Sequence, residues 1–167
     1  MSECSGLWRR TLLIDSEGSR DTGTDVAWLQ GITAYVDTRG LAGRLSQHDE
    51  VFEWQRLLDI EPPGPHPDAG RMYWEADTLV EVGVHEDYVE HWVRDEKPVA
   101  PCWAVFTSDA ILLRAGAQFG WADRTGVVLG AVGDPQWTAL DPQIENGELV
   151  ANGVRRRIES CEGDVDL

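Results

Sequence analysis

Turn-forming residues recur about every eight to twelve positions along this chain, and between them lie short runs in which apolar and polar side chains alternate. No stretch carries the 3.6-residue periodicity of a long amphipathic helix. Such spacing leaves too little room for helices of ordinary length, so the chain is expected to be all-β, a sandwich or a barrel. About ten strands are expected. They cover residues 7–14, two short runs hinged at Gly31, a run ending at a turn at His48-Asp49, then 50–61, 71–75, 78–84, the run up to Asp95, 99–107, 110–115 and 125–132, with a last hairpin turning at Asn152-Gly153. A helix over about 49–59 is the one rival, because Glu, Gln, Arg and Leu favour helices. Strand is preferred there: Phe52, Trp54, Arg56, Leu58 and Ile60 alternate with Glu53, Gln55 and Asp59, and Leu57 alone breaks step. In residues 7–14 the same rule puts Trp8, Arg10 and Leu12 on one face and Arg9, Thr11 and Leu13 on the other. Residues 62–70, PPGPHPDAG, read as a rigid loop, and residues 135–148 as an irregular lid or a short helical turn. At 167 residues the whole chain, 1–167, is expected to be a single β-barrel domain, closed or nearly closed and antiparallel, with about 1–6 and 162–167 frayed.

Residues 70–95, GRMYWEADTLVEVGVHEDYVEHWVRD, concentrate the aromatic and ionisable side chains. In the last strand of that stretch, Tyr88, Glu90, Trp92 and Arg94 share one face and Val89, His91 and Val93 the other. A row of aromatic, acid, aromatic and base suits the wall of a barrel that holds a ligand, where rings supply contact area and a few polar groups fix orientation. The rival reading is an outer face with a surface ion pair. Eight tryptophans spread along the chain agree with one space lined from many strands, although any single Trp can equally be core filler.

Charge narrows the partners. Fourteen Lys and Arg against thirty Asp and Glu leave a formal charge of -16, a field that repels phosphate backbones and anionic lipid, so neither nucleic acid nor a membrane surface is an expected partner. Cys4, Cys102 and Cys161 are odd in number and unpatterned, which points to reduced thiols and a cytoplasmic location. The first residues, MSECSGLWRR, lack an apolar signal-peptide core.

Several chemistries are disfavoured by spacing. His85 and His91, six apart on a strand, share a face but lie about 20 Å apart, too far to ligate one ion, and no metal is expected. There is no GxSxG, and neither GxGxxG nor GxxxxGK[ST] occurs. Cys102, between Pro101 and Trp103, reads as a small buried hydrophobe. For general acid/base work the candidates are Glu75, Glu90, Asp37 and His91, since a carboxyl desolvated in an aromatic interior can hold a proton near neutral pH. Arginine beside such an acid would keep it charged, and Arg94 stands two residues from Glu90, with Arg10, Arg39 and Arg56 similarly placed among aromatics. A buried ion pair that orders the barrel is the alternative for each.

Read together, WRR at Trp8 to Arg10, DTGTDVAWLQ at Asp21 to Gln30 and YVDTRG at Tyr35 to Gly40 resemble a family of small bacterial proteins, with fungal relatives, that carry a WRR, DTxTxVxWLQ, DxR series and adopt calycin-like barrels. The later AGRLSQHDEVFEWQ is similar to a strand pair of lipocalin-like bacterial domains. The resemblance covers about the first two-thirds of the chain, its most specific part runs from WLQ to DxR, and Gly23 stands where a Thr is expected. It implies a barrel with a ligand-sized cavity. It implies no reaction, so no catalytic residue is carried over.

Three functional expectations follow. The first is a cytoplasmic barrel that binds a small, partly aromatic or apolar molecule with an anionic group met by an interior arginine. Its lining would be Trp28, Tyr35, Arg39, Trp54, Arg56, Tyr73, Tyr88, Trp92, Arg94 and Trp103, with Glu75 and Glu90. The second is a cofactor-independent isomerase, cyclase or lyase that uses Glu90 or Glu75 as proton carrier. The third is a packed structural module. No cofactor is expected, and a homodimer is an open option. A cavity of roughly 300 Å³ or more separates the first two from the third.

Overall fold

A computed structural model describes residues 4–60, 62, 64–97 and 100–167. The alternating runs form strands β1 (Gly6–Ile14), β2 (Arg20–Asp21), β3 (Ala27–Gln30), β4 (Ala34–Asp37), β5 (Leu41–His48), β6 (Val51–Asp59), β7 (Asp68–Glu75), β8 (Thr78–Gly83) and β9 (Val89–Glu96). These are followed by β10 (Cys102–Thr107), β11 (Ala110–Ala115), β12 (Gln118–Asp123) and β13 (Gly126–Ala131), then helix α1 (Pro135–Leu140), β14 (Gln143–Glu145), β15 (Glu148–Ala151) and β16 (Val154–Glu162). Residues 49–59 are thus strand and not helix. Glu61, Pro63, Pro98 and Val99, at the expected limits of two strands and in the proline loop, lie outside the described residues, as does the extreme N-terminus.

The strands do not form one ten-stranded barrel. β1 and β3 to β9 pair antiparallel in that order, and β1 returns to pair with β9, closing a barrel of eight strands with β2 as a short flap on β1. The remainder builds a separate sheet in the order β13-β12-β11-β10-β16-β15-β14, curved as a half-barrel. Two causes explain the correction. β12, carrying Phe119 and Trp121, follows β11 after a tight Gly116 turn with positive φ and so has no separate turn cluster, and residues 135–148 split into a capped helix and a short strand.

Two β-bulges set which side chains face inward. Between Arg10 and Leu12 the β1–β9 register slips, so Arg10 pairs with Trp92 and Leu13 with Glu90, and both Arg10 and Leu13 reach the interior. The unbroken alternation that grouped Leu12 with Trp8 and Arg10 therefore fails after Arg10. In β6 the register slips past Leu57: Gly43 opposes Arg56 while Ala42 opposes Leu58. Phe52, Trp54 and Arg56 face inward, Leu57 is left exposed, and Leu58 turns outward to pack under the second sheet.

The interior of the barrel is filled below and open above. Trp8, Trp28, Tyr35, Leu45, Phe52, Trp54, Met72, Leu79 and Trp92 form one buried cluster. A second cluster joins the outer faces of β3, β4 and β5, through Leu29, Ala34, Val36 and Ala42, to Phe106, Ile111 and Leu113 of the other sheet. Burying each of the larger of these side chains contributes about 1.5–3 kcal/mol. Close approach is possible at Gly31, where a Cβ would collide with Leu113 Cδ1. The same seam is pinned by Glu162, whose carboxylate accepts from the amides of Thr33 (2.9 Å) and Ala34 (3.1 Å) and pairs with Arg44. The far face of the second sheet carries its own core of Trp103, Val105, Leu112, Phe119, Trp121 and Leu149.

Candidate functional site

The upper half of the barrel encloses a cavity of about 570 Å³. Its floor is built of indoles. Trp28 lies edge-on to Trp54 and Trp92, with ring centres 6.0 and 5.7 Å away. Trp8 stacks beneath Trp28 at 5.8 Å, and Trp74 lies 5.7 Å further on. Polar edges in this floor are satisfied internally, Trp28 Nε1 donating to Gln30 Oε1 at 3.1 Å and Gln30 Nε2 to the carbonyls of Thr33 and Ala34.

Above the indoles sits a ring of charge. Arg10 Nη1 donates to Glu90 Oε1 at 2.7 Å, and Arg39 Nη1 reaches the same oxygen at 3.3 Å. Arg39 grips Asp37 with two further bonds, Nε to Oδ1 at 3.0 Å and Nη2 to Oδ2 at 2.8 Å, and lies 5.7 Å over the Trp92 ring. Nearer the mouth, Arg56 pairs with Asp59 (3.0 Å) and Asp68 (2.9 Å). Each arginine that lines the cavity, Arg10, Arg39 and Arg56, is therefore ion-paired with carboxylates.

Glu81 differs from the other acids. It is 4 % exposed and sits directly across from Glu90 in the β8–β9 ladder. Its Oε1 accepts from the Tyr88 hydroxyl at 2.7 Å and its Oε2 from Trp92 Nε1 at 3.2 Å. Among the described residues no arginine or lysine lies within salt-bridge distance. Burial, and then the Glu90 charge, push its pKa up to about 8, against the opposing effect of the Tyr88 hydrogen bond. Two glycines make this placement possible. A Cβ at Gly70 would stand 2.7 Å from Glu81 Cγ, and one at Gly83 2.6 Å from Tyr88 Cε1. The Tyr35 hydroxyl, 1 % exposed on average over the residue, has no hydrogen-bond partner among the described residues and belongs to the same cavity wall. Burial, followed by the Asp68 charge, raises its pKa, so it remains a neutral phenol.

Of the residues singled out in the sequence, Trp28, Tyr35, Arg39, Trp54, Arg56, Tyr88, Glu90 and Trp92 line this cavity. The others lie elsewhere. Tyr73 is on the outer face of β7, 47 % exposed, because Gly70, Met72 and Trp74 take the inward positions. Glu75 ends β7 at an exposed hairpin. Trp103 belongs to the far face of the second sheet. Arg94 faces inward one layer too low, its guanidinium 4.5 Å over Trp8 and 5.8 Å from Trp74, where it closes the bottom of the barrel. The cavity wall also includes Glu81, Arg10, Asp68, Leu13 and Leu41, which are not among the lining residues expected from the sequence. Glu81 had a legible signal: a lone acid in the apolar run TLVEVG, two residues before a glycine.

His91 points to the outer face, whereas His85 stacks on His66 at the lip, ring centres 5.5 Å apart. No group of three metal-ligating side chains is present among the described residues. No described helix is long and apolar enough to cross a membrane. No family model, curated protein or solved structure matches the chain.

Proposed function

We propose that this protein is a small-molecule-binding β-barrel, calycin-like in architecture and cytoplasmic, whose ligand is partly aromatic or apolar. The observation that carries the reading is the cavity of about 570 Å³ floored by Trp28, Trp54 and Trp92, within the 300–1,000 Å³ range in which small ligands are buried. An eight-stranded barrel whose strands pair in near-sequential order is the size that holds one small ligand in lipocalins, which supports the calycin-like assignment. The free thiols of Cys102 and Cys161 agree with a reducing compartment.

The test is native mass spectrometry of the folded protein purified without denaturant from its own cells. The expected spectrum contains an adduct of about 100–500 Da that is lost in Leu13→Trp/Leu41→Trp, a double substitution that fills the cavity. A bare mass for the folded protein, or an adduct indifferent to that filling, would count against the proposal.

A second reading, cofactor-independent isomerase, cyclase or lyase chemistry on the same barrel, rests on Glu81 rather than on Glu75 or Glu90. A buried carboxyl that keeps its proton near neutral pH is suited to proton transfer, whereas Glu90 is held by two arginines and Glu75 is remote. Incubating the released ligand with the protein in deuterated water separates the two readings. Deuterium entering a carbon of the ligand supports catalysis, and unchanged isotopic content supports binding alone.

A further inference from the structure

Resting on that binding reading, we infer that the barrel's ligand is a small organic cation, an aryl- or alkylammonium whose positive group takes Glu81 as its counter-ion above the indole floor. Three observations converge. The cavity is lined by three arginines, Arg10, Arg39 and Arg56, but by seven carboxylates. Each arginine is spent on Asp37, Asp59, Asp68 or Glu90, so the surplus inside the cavity is negative. Glu81 is the buried member of that surplus, and a buried carboxylate must be paired or take up a proton. Its present donors, Tyr88 and Trp92, are neutral.

The remaining wall suits the same ligand. Trp28, Trp54 and Trp92 present indole rings to the cavity, and aromatic faces attract ammonium groups strongly when both are desolvated. The Tyr35 hydroxyl supplies an unused acceptor for an N–H donor. An anion would meet carboxylates across from every arginine. A neutral ligand would leave Glu81 protonated and gain no ion pair from it. The overall charge of -16 further concentrates cations at the mouth.

Docking exchanges charges in balance. In the empty barrel Glu81 holds a proton, surrounded by Glu90 from β9 and Tyr88 just before it, Asp68 from β7, Arg39 beyond β4, and Arg10 of β1 acting through Glu90. An ammonium arriving at Glu81 expels that proton to solvent, so one cation enters and up to one proton leaves.

Isothermal titration calorimetry with three matched probes, 2-phenylethylammonium, 2-phenylethanol and phenylacetate, tests this near pH 7. The ammonium is expected to bind at least about ten-fold tighter than the alcohol, and phenylacetate weakest. Repeating the ammonium titration in buffers of different ionisation enthalpy should reveal proton release on the wild-type protein, a readout that needs no variant. In Glu81→Gln the preference for the ammonium should fall to within about three-fold and proton release should vanish. Equal affinities, tighter phenylacetate, or ammonium binding without proton release would overturn the cation assignment and leave the binding barrel standing. Silence of all three probes would remove the binding reading as well.

Discussion

Glu81 is where burial and charge conflict most sharply. Its proton is held more tightly in the folded chain than in the unfolded one, where the ordinary value of 4.5 applies. Stability from this group is therefore full below the unfolded pKa and is lost as pH rises through about 8. Glu81→Gln mimics the protonated acid, with its amide able to serve Tyr88 and its carbonyl to accept from Trp92. Thermal denaturation from about pH 5 to 8 should consequently show Tm falling for the wild type and a flatter profile for the variant. Parallel profiles would show that Glu81 is not the titrating group. Gly70→Ala probes the same residue sterically: the added methyl collides with Glu81 Cγ at 2.7 Å, so the variant should lose about 1–3 kcal/mol in urea unfolding. A neutral outcome would mean that Glu81 can move aside without cost.

At the scale of elements, the β6 bulge makes a sharp contrast between neighbours. Leu57 is exposed and Leu58 packs beneath the second sheet. Leu57→Asp should change stability by no more than about 0.5 kcal/mol, whereas Leu58→Asp should cost at least about 2 kcal/mol because it drives a charge into an apolar seam. Equal effects in chemical denaturation would contradict the bulge. Simple alternation identified most strands and the shared face of Glu90 and Trp92, because a period of two follows directly from strand geometry. It erred at Leu12, Leu13 and Leu58, since a bulge inserts one residue and inverts every assignment after it. Leu57 out of step was the visible trace in the sequence. Tyr73 and Trp103 illustrate a different limit: nothing in a local run says which of two aromatic-bearing faces turns inward, or which of two sheets a strand joins.

For the whole molecule, the consequence of building eight strands into a barrel and the rest into a second sheet is that cavity and support are separate. Glu162 clasps Thr33, Ala34 and Arg44 on the barrel's outer side. Glu162→Ala, which strips partners from two amides and a guanidinium, should cost about 1–3 kcal/mol in stability while leaving probe affinity unchanged, as calorimetry can check. Closure by β1 against β9 depends on pairs such as Leu7 with Glu96 and Ile14 with Val89, and the second sheet on pairs such as Ala104 with Glu162, distant pairings which local patterning does not encode; the resemblance supplied a barrel but not its partner sheet. This division also provides an internal control. Trp28, Trp54 and Trp92 wall the cavity, whereas Trp103 and Trp121 belong to the second sheet and Trp137 to the helix α1 packed against its core. The most direct measurement is nitrogen-15 indole NMR during titration with 2-phenylethylammonium, 2-phenylethanol and phenylacetate in turn. A binding barrel predicts that at least one probe shifts the indole N–H signals of Trp28, Trp54 and Trp92 saturably while those of Trp103, Trp121 and Trp137 stay fixed. If none of the three moves the barrel indoles, or if both sets move together, the cavity is not a binding site.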